Sequence, residues 1–147
     1  MIWCGISANC RTRPILLIGK IDARKYISDV ITNEVLPFLT ENPNVVAFQQ
    51  DNAPPHTANI TKQFLRDNGL PTLPWPAMSP DLNPIEHVWD AMKRKIRQKN
   101  PKNLTQLAQE IVTAWTELPQ HFIQKLIYSM PRRVEMCIRN FGGHTGY

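Results

Sequence analysis

The chain has little cysteine, no long apolar run and no overwhelming charge of either sign, and each shortage removes a class of protein. Cys4, Cys10 and Cys137 are an odd number with no C-x-x-C pair and no metal-ligand spacing, which excludes a disulfide scaffold and leaves a reduced, intracellular protein as the simplest expectation. The longest apolar run is only Ile15–Ile18, and no basic region followed by a long apolar stretch opens the chain. Neither a membrane span nor a secretory signal is therefore expected. His56, His87, His121 and His144 lack the His-x₃-His spacing of a zinc site, and Ser7, Ser28, Ser79 and Ser129 sit in no G-x-S-x-G context, so acyl transfer is not expected either.

What is present fits one folded domain over residues 1–147, with 42% hydrophobic residues and a formal charge of +5. A chain of this size buries roughly 70% of its unfolded surface, enough for a core without staples. Thirteen prolines are many, and most lie around Asp51 (Pro43, Pro54, Pro55) or between Pro71 and Pro84. Apolar residues such as Leu73, Trp75, Met78 and Leu82 are interleaved with them, which marks ordered, rigid loops.

Two apolar runs, Ile2–Ile6 and Ile15–Ile18, flank a polar turn and predict a β-hairpin. Asp22 caps a helical pattern carrying Tyr26, Ile27, Val30, Ile31, Val35, Leu36 and Leu39 on one face. A β-run at Val45–Phe48 leads to Asp51, a helix is expected from about Thr57 to Asn68 with Gly69 as its stop, and a short strand plus proline loop fills Leu70–Pro84. Asn83, Pro84 and Glu86 have the form of a capping box opening a helix with Ile85, Val88, Trp89, Met92 and Ile96 inward. Asn103 and Gln106 repeat that logic for a helix burying Leu104, Leu107, Ala108, Ile111, Trp115 and Leu118, and a last helical region runs from Phe122 through Met130 toward Ile138. The order is that of an α/β fold with a mixed sheet.

Two acids stand where chemistry is built. Asp51 follows a strand, the position at which open α/β sheets place ligands, and Asn52 and His56 lie beside it; the same residues also read as an ordinary turn with His56 capping the next helix. Glu86 opens a helix after a rigid loop, and it also reads as half of a capping box. If the two carboxylates converge, a cation must offset their repulsion, and hard oxygen ligands suit Mg²⁺ or Mn²⁺. Such a pair is half of a two-metal phosphoryl-transfer site. The basic cluster of Lys93, Arg94, Lys95, Arg97, Lys99 and Lys102 suits a phosphate backbone, or else forms a solvated helix face. Trp75, Trp89 and Trp115 read as core anchors rather than base-stacking platforms.

At these residues the sequence resembles the catalytic domain of the Tc/mariner superfamily of DNA transposases. The matching strings are Met1–Ser7, Phe48–Ala58 (FQQDNAPPHTA), Trp75–Asp90 (WPAMSPDLNPIEHVWD) and Gly142–Thr145 (GGHT). Thirty-four residues separate Asp51 from Glu86, an interval that resembles the Tc branch rather than the mariner branch. The resemblance implies a ribonuclease-H-like mixed sheet flanked by helices, with a helical carboxy-terminal extension. It also implies a triad of two Asp and one Glu that binds two Mg²⁺ or Mn²⁺ ions, with Asp51 as second acid and Glu86 as third.

The implied reaction is hydrolysis at transposon ends followed by attack of the freed 3′-hydroxyl on target DNA. Asn52, His56 and His87 would orient the acids or the DNA, and Lys93, Arg94 and Arg97 would bind it. A homodimer on paired ends and a nuclear site of action in a eukaryotic host follow from the same resemblance. In the family the first acid precedes the segment that Met1–Ser7 resembles, as does a helix-turn-helix region. The expectation is thus an amino-terminally truncated domain that lacks its first central strand, is marginally stable and is inactive alone. The alternative is a non-catalytic remnant that retains nucleic-acid binding or dimerisation.

Overall fold

Backbone pairing at the amino terminus follows the predicted hairpin: β1 (Ile2–Trp3) runs antiparallel to β2 (Ile15–Leu16), with Ile2 opposite Leu16 and Trp3 opposite Ile15. The computed structural model describes residues 1–147. Met1 and Leu17 extend the pairing by exchanging two hydrogen bonds of 2.8 Å, from the terminal ammonium to the Leu17 carbonyl and from the Leu17 N–H to the Met1 carbonyl. The chain divides into two compact units, the first made of Met1–Gly5 with Ile15–Met78 and the second of Ile6–Pro14 with Ser79–Tyr147. No helix is long and apolar enough to cross a membrane.

In the first unit Asp22 caps as its sequence demands, accepting from the Lys25 N–H at 2.9 Å. The helix it opens is α1 (Ala23–Lys25), which continues as a π-helical stretch over Tyr26–Val35 and ends as α2 (Leu36–Glu41). A π-helical run of this length is unusual. It closes where the Leu36 N–H reaches the Ile31 carbonyl and Pro37, which has no N–H to donate, follows. Tyr26, Val30, Ile31 and Val35 are buried from this segment against Leu17, Leu65 and Leu70, with Trp3, Ile15, Phe48 and Phe64 around them.

The expected β-run Val45–Phe48 is not a strand. It makes one parallel bridge, in which the Phe48 N–H donates to the Pro71 carbonyl and the Leu73 N–H donates to the Phe48 carbonyl. The short strand expected after Leu70 is likewise reduced to Thr72. Pro71 accounts for the loss on one side, because extension of the ladder toward Val46 would need the N–H that Pro71 lacks.

The helix expected from Thr57 begins at Asn59: α3 (Pro54–Thr57) is a single turn, and the extended backbone of Ala58 separates it from α4 (Asn59–Asp67). Gly69 ends α4 at φ 63°, with its N–H on the Arg66 carbonyl and the Leu70 N–H on the Leu65 carbonyl. Those paired bonds form a Schellman stop, which needs a left-handed residue that glycine adopts without strain.

The second unit is helical: a 3₁₀ turn at Pro80–Leu82, then α5 (Pro84–Lys99), α6 (Leu104–Glu117), α7 (Gln120–Tyr128) and α8 (Met130–Arg139). Leu82, Val88, Met92, Ala114, Trp115, Leu118 and Ile123 are its buried apolar residues. Asn103 caps α6 by accepting from the Gln106 N–H at 2.9 Å, and the Gln106 side chain reaches back to the Lys102 N–H at 2.7 Å. Leu104, expected inside, is 83% exposed, because the first turn that Asn103 and Gln106 fix points it outward.

The turn at Ile6–Pro14 is pinned to this unit by polar bonds. Arg11 donates to the Leu118 and Thr116 carbonyls at 2.7 and 3.1 Å, where a cation complements the carboxyl end of α6, and its guanidinium also lies over the Trp115 ring. Trp115 Nε1 donates to the Thr12 carbonyl at 3.0 Å.

Candidate active site

The loop Gln49–His56 gathers the first group of predicted residues. Asp51 Oδ1 accepts from the Ala53 N–H at 3.0 Å and from His56 Nδ1 at 2.6 Å. The Ala53 bond is the turn that Asp followed by Asn suggests, so the turn reading holds. It does not exhaust the residue, because Oδ2 carries no protein partner and the side chain is 60% exposed. His56 does not cap the following helix. It sits within α3, its imidazole is largely covered, and its ring lies 4.4 Å from that of Tyr26. Asn52 reaches across to donate to the Trp75 carbonyl at 2.9 Å, tying the acid loop to the proline-rich segment.

Tyr26 and Gln50 complete the group, although neither stands out in the sequence as more than an apolar helix position and a strand-end amide. The Tyr26 ring is buried and its hydroxyl donates to Gln50 Oε1 at 2.7 Å. Burial, and then the negative charge of Asp51, push the phenol above its ordinary range, with a smaller opposing effect from Trp3. The hydroxyl is therefore a fixed donor that holds Gln50 while the ring braces His56.

Glu86 lies in the first turn of α5. Its N–H donates to the Asn83 carbonyl at 3.1 Å, but Asn83 makes no side-chain bond to the helix and the Glu86 carboxylate takes part in no hydrogen bond. The capping-box reading thus fails. The Asn83 N–H that a box would offer to the Glu86 carboxylate donates instead to the Pro80 carbonyl at 3.0 Å, and Pro84 at the first position already fixes the backbone for the helix.

On α5 the exposed residues Glu86, Asp90, Lys93 and Arg97 recur at i, i+4, i+7 and i+11, one helical stripe, while the buried Val88 and Met92 occupy the other side. Lys93 pairs with Asp90 at 3.6 Å, whereas Arg94 and Arg97 make no salt bridge. Half-buried His87 is held below the usual imidazole range by burial and by the Arg133 charge, against the opposing pull of Asp90 and Glu86.

Asp51, Asn52 and His56 are therefore brought together in the first unit, and Glu86, His87, Lys93, Arg94 and Arg97 share one helix in the second. No group of three or more His, Cys, Asp or Glu side chains able to hold a metal forms. The donors that are present, one free oxygen of Asp51 and both of Glu86, are hard anionic ligands of the kind that Mg²⁺ and Mn²⁺ take.

Residues 20–108 match the DDE superfamily endonuclease family. The Tcb1 transposase of Caenorhabditis briggsae is 34% identical over 149 residues, covering 100% of this chain and 54% of that protein. The Tc1 transposase of Caenorhabditis elegans is 32% identical over 148 residues, again across 100% and 54%. The chain spans about half the length of these curated relatives. Among solved structures, the Mos1 transposase catalytic domain with Raltegravir and Mn superposes with a TM-score of 0.84 at 23% identity, over 97% of this chain and 74% of that one. The Mos1 paired-end complex with the left transposon end gives a TM-score of 0.84 at 22% identity, over 98% and 43%. The chain belongs to the DDE superfamily endonucleases, with Tc1/mariner transposases as its relatives and the fold of the Mos1 catalytic domain.

Proposed function

We propose that this chain forms catalytic structure of a DNA transposase, in which Asp51 and Glu86 hold Mg²⁺ or Mn²⁺ for phosphodiester hydrolysis at transposon ends and for transfer of the resulting strand to target DNA. The observation that carries the reading is the state of the two acids: each keeps carboxylate oxygen free of protein partners, on a braced loop and a helix's first turn respectively. In this reading residues 1–147 belong to a single ribonuclease-H-like domain. The bound ions would lower the cost of forming the attacking oxygen and stabilise the leaving one.

The chain's own residues do the positioning. The Ala53 N–H and His56 hold one Asp51 oxygen, which leaves the other to ligate, and Tyr26 keeps His56 in place. Lys93 and Arg97, on the same stripe of α5 as Glu86, and Arg94 beside them would seat the phosphate backbone and fix the strand against the acids. Asn52 would hold the acid loop against the proline segment through its bond to Trp75. Support for the metal and the partner comes from Mos1, whose catalytic domain has been solved with Mg and with Mn and which forms paired-end complexes with transposon-end DNA. A homodimer on paired ends, acting in the nucleus, completes the proposal.

The test is strand nicking of DNA bearing the transposon ends. Mg²⁺-dependent cleavage that Asp51→Ala and Glu86→Ala each abolish supports the reading. Metal-independent, salt-sensitive binding with no cleavage would overturn it in favour of a non-catalytic nucleic-acid-binding remnant.

A further inference from the structure

Resting on the assignment of Glu86 as a metal ligand, we propose that Arg133 and the closing segment Gly142–Tyr147 form a clasp on the turn before α5 and thereby position Glu86. A carboxylate with no hydrogen bond of its own takes its place from its backbone, and a metal ligand must be held within roughly 0.5 Å of its working geometry. Local support at this point is thin, since Asn83 makes no cap and Pro84 supplies no N–H. Support arrives from distant residues instead.

Arg133, on α8, is fully buried. Its Nη1 donates to the Asp81 carbonyl at 2.8 Å and its Nε to Ser129 Oγ at 2.8 Å, while the Tyr147 ring lies 4.4 Å from the guanidinium. A guanidinium removed from water must have its donors matched, so this arrangement is selective for one placement of the Pro80–Leu82 turn. The Thr145 N–H then donates to Asp81 Oδ2 at 2.9 Å, across 64 positions of sequence. The segment that delivers Thr145 is itself folded back, with Asn140 Nδ2 on the His144 carbonyl and the Gly146 N–H on His144 Nδ1.

Asp81 is thus gripped twice, by backbone and by side chain, five residues before Glu86. Its carboxyl sits below the usual range: burial opposes this, and hydrogen bonding from Thr145 with His144 nearby outweighs the opposition. Asp81, within the Trp75–Asp90 string, and Thr145, within the Gly142–Thr145 string, therefore meet, and their joint product is a fixed origin for the helix that carries Glu86.

Mn²⁺ affinity, read by the loss of the free-ion electron paramagnetic resonance signal, and the kcat and KM of cleavage separate positioning from bulk stability. Asp81→Ala and Arg133→Met are expected to weaken Mn²⁺ binding roughly tenfold and to lower kcat with little change in KM for DNA. Arg133→Lys, which keeps the charge but not the fork, should recover part of the loss. Wild-type Mn²⁺ affinity in the clasp variants, alongside weakened binding in Glu86→Gln, would overturn the clasp alone. Unchanged binding in Glu86→Gln would overturn the metal assignment and the clasp with it. Should Arg133→Met fail to fold, Asp81→Ala at the half-buried turn decides the matter.

Discussion

Tyr26→Phe tests the bracket behind Asp51 in two independent ways. At neutral pH the substitution removes one hydrogen bond, to Gln50 Oε1 at 2.7 Å, and leaves the ring that braces His56. Gln50 is only partly buried and can recruit water, so the cost should be about 1 kcal/mol. At alkaline pH the sign is fixed by the raised phenol pKa. Below the unfolded value of about 10 both states keep the proton, and the protonated phenol's contribution is fully present. Above it the unfolded chain ionises while the folded one does not, so stability falls as pH rises toward the folded pKa. At pH 11, one unit past the unfolded value, the loss attributable to Tyr26 is about 1.4 kcal/mol.

Urea unfolding at pH 9 and pH 11, followed by tryptophan fluorescence, would show the wild type losing that amount more than Tyr26→Phe over the interval. Tyr128, which is 65% exposed, serves as a control in Tyr128→Phe and should not change the difference. Identical pH dependence in wild type and Tyr26→Phe would refute the claim that a buried hydroxyl stands fixed behind the acid loop.

Other substitutions probe the second unit and its helix. Asn103→Ala removes the cap on α6 and should cost about 1 kcal/mol in denaturant unfolding, with no effect on DNA binding. Trp115→Phe removes the buried hydrogen bond to the Thr12 carbonyl and should cost about 1 kcal/mol, lowering Tm by a few degrees in calorimetry. Lys93→Ala with Arg97→Ala should weaken DNA binding uniformly across sequences and reduce the slope of log affinity against log salt by about 2, measured by fluorescence anisotropy.

How much of this was legible in the sequence varies with the physics of each element. Helix ends are local, so Asp22, Gly69, Asn103 and the start of α5 at Pro84 could all be read from residue types. The β-run at Val45–Phe48 misled because its composition fits a strand, whereas extending the ladder toward Val46 needs a partner N–H that Pro71 lacks. Leu104 shows the same limit in a helix: apolar periodicity placed it inside, and the cap geometry turned it out.

In the candidate site, the grouping of Asp51, Asn52 and His56 was legible because they are near one another in sequence, and Glu86 was a candidate because a proline loop introduces it. Tyr26 and Asp81 were not, since their roles rest on contacts with Gln50 and His56 and with Arg133 and Thr145 that no local pattern encodes. The Glu86 capping box was plausible in composition, but the Asn83 and Glu86 N–H groups it would use are bonded to the Pro80 and Asn83 carbonyls.

The most direct measurement of whether the two acids share divalent ions is an anomalous-scattering map of crystals of the protein grown with Mn²⁺ and cleaved end DNA. The expected result is a manganese peak ligated by carboxylate oxygens of both Asp51 and Glu86, with His56 still on the other Asp51 oxygen. Manganese bound to neither acid, or the two carboxylates held apart with DNA in place, would contradict it.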